Sequence, residues 1–452
     1  MNRKALRSVA LAGVAAVGLA ALTACSGPST GDSGEGSDSK YGFQAAEQEK
    51  DSPITVWVDA SREPIANAFV ADNPDIAVKI ETYDGNSGNS GSFQTKVALF
   101  DQSGEGWPDV VFSTQNNDAS WAAKEINGAQ AFAAPLNKGL LDDEFLNGFT
   151  AGANDPVTVD GSVYGLRNDL APVVLWYNQK LLDEFGYDIP TTWEEYESLG
   201  EKLAADHPGY ILGTVGDSFV GPYVYYWGAE APIFQLDGDT FSSDFDDKNS
   251  KAMTTMLDKM IANKTLVQDS VFSGAFNKYS DKIVAMPGPA WYSGALFQNP
   301  ESLNNPKGEI GAAAPLHWAD GDKTTGNVGG GVWYGSSHSK NLAAVKTFLE
   351  YVIASDKAIE LNAGLPAYED AASKWLDNQA SSGYYAGDFK GAVQTAAASV
   401  WDGWAFPRFS PETAYANVVI PALAAGKTIK DVVPDWQKQI LNEAQVQGYS
   451  VK

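Results

Sequence analysis

The residues of this sequence that could do chemistry are aromatic rings and short polar side chains, a combination that suits the binding of sugars. A sugar ring has apolar C–H faces that pack against aromatic rings, and hydroxyls that need donors and acceptors. The chain contains 13 Trp and 19 Tyr, many of which must be core residues. Trp291 and Tyr292 follow Pro287-Gly288-Pro289, which we expect to break a strand and place both rings on a loop. They are the leading candidates for contact with a sugar.

Glycines beside an aromatic residue mark a second candidate. Trp333 comes two residues after the run Gly329-Gly330-Gly331. Because glycine has no side chain, the backbone at Gly330 can approach a ligand closely, although a bulge or packing against a helix also explains the run. We therefore include Gly330 and Trp333 in the predicted binding site.

Polar side chains follow two predicted buried strands at the point where each strand ends. Those after the strand at 54–58 are Asp59 and Ser61, and those after the strand at 109–112 are Asn116, Asn117 and Asp118. Open α/β sheets bind ligands at the carboxyl ends of their strands, so we expect these side chains to contact the ligand. Capping of the following helix is an alternative role for Ser61, and both roles can hold together.

Sequence patterns for catalysis are weak. The histidines His207, His317 and His338 lack the spacing of metal ligands, and no G-x-S-x-G motif indicates a serine nucleophile. The alternative that stays open is a secreted glycoside hydrolase, which needs two facing carboxylates roughly 5–10 Å apart. With 57 Asp and Glu, the sequence neither singles out nor excludes such a pair. We favour binding without turnover and predict neither a cofactor nor a metal ion.

Alternating strand-like and helix-like segments must position these residues. The apolar run at 54–58 precedes a helix with Pro64 in its first turn, and strands are predicted at 76–80 and 109–112. Further on, 173–177 is predicted to be a strand, and apolar residues at helical spacing predict a helix at 341–354. This rhythm predicts an α/β fold with a parallel sheet covered by helices.

The N-terminus indicates secretion and lipid anchoring. Basic residues precede an apolar stretch at 8–22, which is short for a membrane-spanning helix and typical of a signal peptide. The stretch ends in Leu22-Thr23-Ala24-Cys25, which matches a lipobox, and Cys25 has no partner thiol in the chain. We predict a signal peptide over 1–24, with lipidated Cys25 and a flexible tether over 25–50 that holds the protein on the extracellular face of the cell membrane. An ordinary signal peptide with an incidental cysteine is the alternative.

The net charge limits the kinds of partner that the chain can bind, and the chain length predicts the number of lobes. A net charge of −26 repels phosphate backbones, so nucleic acid is excluded as a partner. The same charge disfavours an anionic solute unless a local basic pocket exists, and the sequence shows no basic cluster. A chain of 452 residues is longer than one hydrophobic core usually serves, which predicts two lobes.

Several segments, in order along the chain, resemble the extracellular solute-binding family that includes maltose-binding protein. The most specific is the block at 159–203, with a Y-G-L strand, a W-Y-N strand and a helix introduced by P-T-T-W-E-E. Other segments that match in the same order are I-T-V-W-V at 54–58, P-D-V-V-F-S at 108–113, K-I-V-A-M-P-G-P-A-W-Y-S-G at 282–294 and the Gly-rich strand and helix at 330–352. Together they cover nearly the whole chain after the predicted tether.

The resemblance implies an α/β periplasmic-binding-protein-like fold, in which two lobes joined by hinge strands close on a solute in the cleft between them. The first lobe would comprise 51–167 plus 330–368, and the second 168–329 plus 369–452. By the same resemblance, the chain would act as a monomer that captures an oligosaccharide and delivers it to the permease subunits of an ABC transporter.

The resemblance also implies particular contacts. Relatives place a ligand-binding carboxylate at Asn168 and Asp169, a ring-stacking tryptophan at Trp291, aromatic subsites near Tyr226 and Trp227, and a cleft wall near Trp404 and Arg408. Alternation of side chains along 223–227 would send some of those rings inward. Asn116 and Asn117 stand where relatives carry an acidic and a basic residue, which argues against maltose-type specificity. A polyol, glycerol-phosphate or peptide ligand is the alternative within the family, although a phosphate would call for a basic pocket.

Overall fold

The computed structural model describes residues 40–452 apart from 84, 86–90, 116–117 and 126–129. The predicted signal peptide at 1–24, Cys25, Asn116 and Asn117 therefore lie outside the described residues. No helix in the described part of the chain is long and apolar enough to cross a bilayer. The same residues contain no group of three or more His, Cys, Asp or Glu side chains that could hold a metal ion.

The first sheet has five strands, in the spatial order Val78–Thr82, Ile54–Val58, Val110–Ser113, Val332–Gly335 and Leu166–Arg167. The first three run parallel, as the sequence predicts, and Val332–Gly335 runs antiparallel to both of its neighbours. Helices cover both faces, which is why strand Ile54–Val58 is apolar at every position except Thr55. Val56 and Val58 face the core beneath helices Glu63–Asp72 and Leu342–Ala354, whereas Trp57 faces the core beneath helix Gly91–Ser103.

A second sheet lies in a separate and larger apolar core. Its central strand Val173–Asn178 is buried at every residue and pairs antiparallel with Ala285–Pro289 and Ile310–Ala313. The prediction of a parallel sheet therefore fails here. Strand Ala285–Pro289 starts opposite Tyr177, so the chain re-enters the sheet from the end at which it left. We refer to the elements around the first sheet as the first lobe, and to those around this sheet as the second lobe.

Short strands connect the two lobes. The segment after Leu166–Arg167 continues as Asp169–Leu170, which pairs antiparallel with Leu365–Pro366. A third connection between the lobes runs through Asn327 and Val328 into strand Val332–Gly335. Asn327 Oδ1 accepts a hydrogen bond from the N–H of Ala171, and the N–H of Val328 donates to the carbonyl of Ala171. We call these three segments, residues 167–171, 327–331 and 363–366, the crossing strands. Because side chains alternate along a strand, each crossing strand presents residues to two opposite faces.

The remaining elements complete the two lobes. The further helices are Ala119–Ala122, Asp143–Leu146, Gln179–Phe185, Trp193–Asp206, Lys248–Ala262, Asp356–Leu361, Glu369–Ser381, Phe389–Ala397, Pro411–Ala414, Ile420–Ala424 and Ile429–Val446, with π-helices at Val220–Tyr226, Ser293–Phe297 and Tyr415–Val419, and 3₁₀ turns at Asp155–Val157 and Gly274–Tyr279. The further paired strands are Thr158–Val159 with Ser162–Val163, Gly213–Thr214 with Leu266–Val267, and Gln235–Asp237 with Thr240–Ser242 and Ser450–Val451.

The last residues of the predicted tether pack against the first lobe. Tyr41 is only 6% exposed, and the backbone N–H of Gly42 donates to the carbonyl of Lys138 at 2.8 Å. The N–H of Glu49 donates to the carbonyl of Lys340 at 2.7 Å. The prediction of a flexible tether is therefore wrong for residues 41–50. Tyr41 supplies aromatic surface that can be buried, which the preceding Gly- and Ser-rich residues lack.

Three local predictions also differ from the structure. The first long helix begins at Glu63 with Arg62 as its N-cap, so Ser61 does not cap it. Pro287-Gly288-Pro289 does not break a strand but forms its end, which an edge strand tolerates because its outer N–H groups need no partner. Residues Val220–Tyr226 form a π-helix in which every residue is buried, so the expected strand-like alternation does not occur.

Candidate functional site

A cavity of about 520 Å³ lies between the two lobes, and we call it the front cavity. Its walls come from the carboxyl ends of first-lobe strands, from one face of the crossing strands, and from second-lobe loops and helices. Residues that line it include Ser61, Arg62, Thr114, Gln115, Asp169, Phe219, Tyr223, Trp291, Gly330 and Glu412. Its volume falls within the range of about 300–1,000 Å³ that is usual for small-molecule sites.

The loop after strand Ile54–Val58 brings a fixed cation to the front cavity. Asp59 accepts hydrogen bonds from the backbone N–H of Arg62 at 2.9 Å and from its Nη1 at 3.3 Å. The guanidinium also lies 4.4 Å from the centre of the Phe112 ring. Ser61 and Arg62 line the front cavity, whereas Asp59 is not among the lining residues. Asp59 therefore orients Arg62 and does not itself line the cavity.

A chain of hydrogen bonds orients Asp169 at the first crossing. The carboxylate of Asp169 is 4% exposed and accepts from Asn168 Nδ2 at 2.9 Å. Asn168 Oδ1 in turn accepts from the indole N–H of Trp333 at 2.9 Å. Trp333 is fully buried between Phe112 and Phe348 in the first-lobe core. The structure therefore places Asp169 on the cavity wall, and places Asn168 and Trp333 behind it as supports.

Gly330 occupies a position that only glycine tolerates. Its φ of +83° is in the left-handed region, and it lines the front cavity. A Cβ at this position would lie 1.9 Å from Nη2 of Arg167 and 2.4 Å from the carbonyl oxygen of Asp169. The absence of a side chain thus leaves room both for Arg167 and for the cavity.

Aromatic rings form the second-lobe wall of the front cavity. Trp291 is partly buried, and its indole N–H donates to the carbonyl of Val328 on a crossing strand at 2.9 Å. Phe272, a ring that the sequence did not single out, is 62% exposed and lies parallel to Trp291 with centroids 6.0 Å apart. Tyr292 packs edge-on beneath Trp291 at 4.8 Å and is 1% exposed, in the second-lobe core. Of the two leading candidates, Trp291 therefore lines the cavity and Tyr292 supports it.

Glu412 is a cavity residue that the sequence reasoning missed. Its carboxyl is 3% exposed, and it accepts hydrogen bonds from Ser218 Oγ at 2.9 Å and from Gln115 Nε2 at 3.5 Å. Gln115 belongs to the first lobe, so the second of these bonds joins the lobes across the cavity. Burial raises the pKa of Glu412 to about 7. Its sequence context, Ser410-Pro411-Glu412, is typical of a helix start, and that pattern conceals its role.

Asp118 is buried beside the front cavity rather than on its wall. It is fully buried and accepts hydrogen bonds from Ser113 Oγ at 2.6 Å and from Gln94 Nε2 at 3.0 Å. Burial raises the pKa of Asp118 to about 7. These bonds link Asp118, the N-cap residue of helix Ala119–Ala122, to the end of strand Val110–Ser113 and to helix Gly91–Ser103. Asp118 therefore supports the end of the strand that precedes Gln115.

Four predicted residues lie away from the front cavity. Trp227 and Trp404 line a second cavity of about 700 Å³, on the other face of the crossing strands, which we call the back cavity. Tyr226 is fully buried in the core, where its hydroxyl bonds to Thr254 Oγ1 at 2.7 Å. Arg408 lies over the Tyr449 ring and 3.9 Å from Asp239, and lines neither cavity. Tyr226 and Arg408 therefore have no place in the site that we propose.

The buried carboxyl of Glu412 predicts a pH-dependent stability. Folded Glu412 keeps its proton up to a pH of about 7, whereas the unfolded chain releases it near 4.5. The folded state therefore binds more protons in this range, and the free energy of unfolding falls as the pH rises from about 4.5 to 7. Glu412→Gln removes this titration. Between pH 5 and 8, its free energy of unfolding, measured with urea, should therefore fall by on the order of 1–3 kcal/mol less than that of the unsubstituted protein.

Neighbouring groups provide the control for this measurement. Asp217 and Tyr223 are the titratable groups whose charges couple to Glu412, and Arg62 shares its cavity. Asp118 shows the same burial-raised pKa, so Asp118→Asn should flatten the profile further when it is added to Glu412→Gln. An unchanged slope in Glu412→Gln would contradict a buried carboxyl at this position.

Comparison with known proteins agrees with this architecture. Residues 55–359 match the family described as bacterial extracellular solute-binding protein, whose members are binding proteins rather than enzymes. An arabinooligosaccharide-binding protein from Halalkalibacterium halodurans is 22% identical over 278 residues, which cover 57% of this chain and 57% of that relative. The chain thus matches less than two thirds of that relative's length.

Two solved structures share the fold. One is the ABC transporter associated binding protein of B. animalis subsp. lactis in complex with β-1,6-galactobiose, with 20% identity, a TM-score of 0.70, and coverage of 89% of this chain and all of that one. The other is the galacto-N-biose-/lacto-N-biose I-binding protein of Bifidobacterium longum in complex with lacto-N-biose, with 19% identity, a TM-score of 0.71, and coverage of 90% and 100%. Both are two-lobed. Since the family match spans more than half of its length, the chain belongs to the bacterial extracellular solute-binding protein family.

Proposed function

We propose that this protein captures a neutral oligosaccharide in the front cavity and delivers it to the permease subunits of an ABC transporter. The observation that carries the proposal is the composition of that cavity. Both lobes contribute to it, and it combines aromatic rings with hydroxyl, carboxyl and amide groups at its walls. Trp291 offers a surface for the C–H face of a sugar, and Asp169 offers acceptors for its hydroxyls.

The charges of the front cavity favour a neutral ligand. Arg62 already pairs with Asp59, while Asp169 and Glu412 bring carboxyl groups. An anionic solute would therefore meet no uncompensated cation among the described lining residues. The charges therefore favour a neutral oligosaccharide over a phosphate, and the aromatic rings favour it over a polyol, which has no apolar ring face.

Contacts between the lobes support closure on the ligand. Gln115 Nε2 reaches Glu412 at 3.5 Å, and Ser120 Oγ reaches the carbonyl of Phe406 at 3.4 Å. A solute that touches both walls favours the closed state only through the contacts it makes there. We propose that closure around the sugar is what the permease recognises, and that the protein binds without cleaving its ligand.

The lobe boundaries and the anchor are part of the same proposal. We place the first lobe at 51–167 plus 330–368 and the second at 168–329 plus 369–452, a division supported by the separate apolar cores. Family membership supports a position outside the cytoplasm, and the lipobox supports lipid attachment at Cys25. Because residues 41–50 pack on the first lobe, the tether of this proposal ends before Tyr41. We propose that the protein acts as a monomer.

Calorimetric titration tests the proposal. Residues 26–452 would be titrated with di- to tetrasaccharides of arabinose, galactose and glucose, with amino acids, tripeptides and glycerol 3-phosphate as controls. We expect one oligosaccharide class to bind with micromolar affinity, and to be recovered intact by chromatography. Cleavage of the sugar would establish a hydrolase instead. Binding of only a peptide or glycerol 3-phosphate would retain the transport function and replace the ligand class.

A further inference from the structure

The back cavity lies behind the crossing strands, on the face opposite the front cavity. Alternation along the strands separates the two sites: Asp169, Val328 and Gly364 line the front cavity, whereas their neighbours Leu170, Asn327 and Leu365 line the back cavity. Pairing of Leu170 with Leu365 keeps these two side chains on the same face. The back cavity is therefore a separate space and not an extension of the front one.

Both lobes build the walls of the back cavity. The first lobe contributes residues 150–156 and Arg167, and the second contributes helix Glu369–Ser381 and the segment 397–406. Its volume of about 700 Å³ exceeds that of the front cavity. Trp227 and Trp404, which are only 2% and 3% exposed, stack in parallel with centroids 5.2 Å apart, whereas Trp401 and Phe406 are the partly exposed rings of the wall. Trp401 and Phe406 therefore offer the aromatic surface of this wall that a sugar ring can pack against.

Charges of both signs line the back cavity. Arg167 is 3% exposed; its Nη2 donates to the carbonyls of Asp169 at 3.3 Å and Gly329 at 3.1 Å, while its Nε has no partner among the described residues. Asp155, Glu369 and Asp402 are exposed at the mouth. The carboxylates disfavour an anion, and the buried guanidinium disfavours a cation. The hydroxyl groups of a neutral compound can donate hydrogen bonds to the carboxylates and accept hydrogen bonds near the guanidinium.

We propose that the back cavity is a second binding site for a neutral sugar of one or two rings, distinct from the transport site. Its aromatic wall takes the apolar face of a ring, and Asn327, Arg167 and the carboxylates at the mouth take the hydroxyls. Because its walls come from both lobes, its occupancy changes when the lobes rotate about the crossing strands. The site is independent of the front cavity in its residues, apart from the strands that both share.

Selective blockage tests this proposal. Ala398 is exposed on the back-cavity wall, at the end of helix Phe389–Ala397, with a φ of −81° that any side chain tolerates. Ala398→Trp should fill the cavity without touching the front one, Ala398→Ser is its control, and Gln394→Trp is a second blocking variant should the first misfold. Each would be made in a Trp291→Ala background, and the probes would be D-galactose, D-glucose and L-arabinose, observed by saturation-transfer NMR.

We expect at least one of these sugars to give a saturation-transfer signal with Trp291→Ala. The signal should fall at least tenfold when Ala398→Trp is added, and should persist when Ala398→Ser is added instead. A signal that both blocking variants leave unchanged, or no signal with Trp291→Ala, would overturn the second site. The front-cavity function is judged separately, by oligosaccharide titration of Ala398→Trp with Trp291 intact. Normal oligosaccharide affinity there, without any monosaccharide signal in Trp291→Ala, would remove the back site and leave the transport proposal standing.

Discussion

We expect Trp291→Ala to weaken oligosaccharide binding at least tenfold, which is a loss of about 1.4 kcal/mol of binding free energy or more. The indole forms part of the front-cavity wall and is held in place by its bond to Val328 and by Phe272 alongside. A ring that is already fixed loses little conformational entropy when a sugar packs on it, so its removal is costly. Calorimetry with the tightest ligand of the titration panel measures the change.

Trp318 provides a matched control for this substitution. It is also a partly buried tryptophan of the second lobe, its indole N–H also donates to a backbone carbonyl, that of Ala229 at 3.0 Å, and it lines neither cavity. Trp318→Ala should lower the unfolding temperature without changing the affinity of the folded protein. Equal losses of affinity in the two variants would mean that Trp291 acts through stability rather than through contact.

Gly330→Ala is expected to have the largest effect on the fold. The left-handed backbone costs a non-glycine residue about 1–2 kcal/mol, and the Cβ would collide with the guanidinium of Arg167 and the carbonyl of Asp169. Overpacking of this kind adds roughly 1–3 kcal/mol. We expect the free energy of unfolding to drop by about 2–5 kcal/mol, and oligosaccharide binding to fall because Asp169 is displaced.

The preceding residue separates the two contributions. Gly329 has a φ of +80°, but among the described residues its Cβ would come within 4 Å of only the carbonyl oxygen of Thr114, at 3.8 Å. Gly329→Ala should therefore show the backbone cost without the collision, and should lose about 1–2 kcal/mol. Urea unfolding of both variants gives the comparison. If Gly329→Ala and Gly330→Ala lost the same free energy, the close packing of Arg167 against Gly330 would be refuted.

Sequence reasoning found the cavity residues whose position follows from where a strand ends. Ser61 follows the first strand and Trp291 follows an edge strand, and both line the front cavity. Asp169 and Gly330 lie on crossing strands, and the resemblance and the glycine run pointed to them. In each case the sequence indicated both the chemistry of the side chain and its position at a strand end or on a crossing strand.

The residues that sequence reasoning misplaced depend on pairing and on helix type. Trp227 and Trp404 line a cavity, but which face of the crossing strands they meet follows from the register of Leu170 with Leu365, which no local pattern shows. Tyr226 points into the core because its segment winds as a π-helix. Glu412 reaches the front cavity from a helix start whose sequence signals only capping.

The hydrogen bonds that join the lobes from Gln115 to Glu412 and from Ser120 to the carbonyl of Phe406 are long, at 3.5 and 3.4 Å. Other bonds between the lobes, such as that from Trp375 Nε1 to the carbonyl of Asn362 at 3.0 Å, are of ordinary length. The two long bonds exceed the usual range of donor–acceptor distances, so they add little to the stability of an empty closed form. Under the proposed function, the sugar then supplies much of the free energy that holds the two walls of the front cavity together. A transporter that senses closure would spend few cycles of ATP hydrolysis on empty protein, and would need little work to reopen the lobes once the sugar has left.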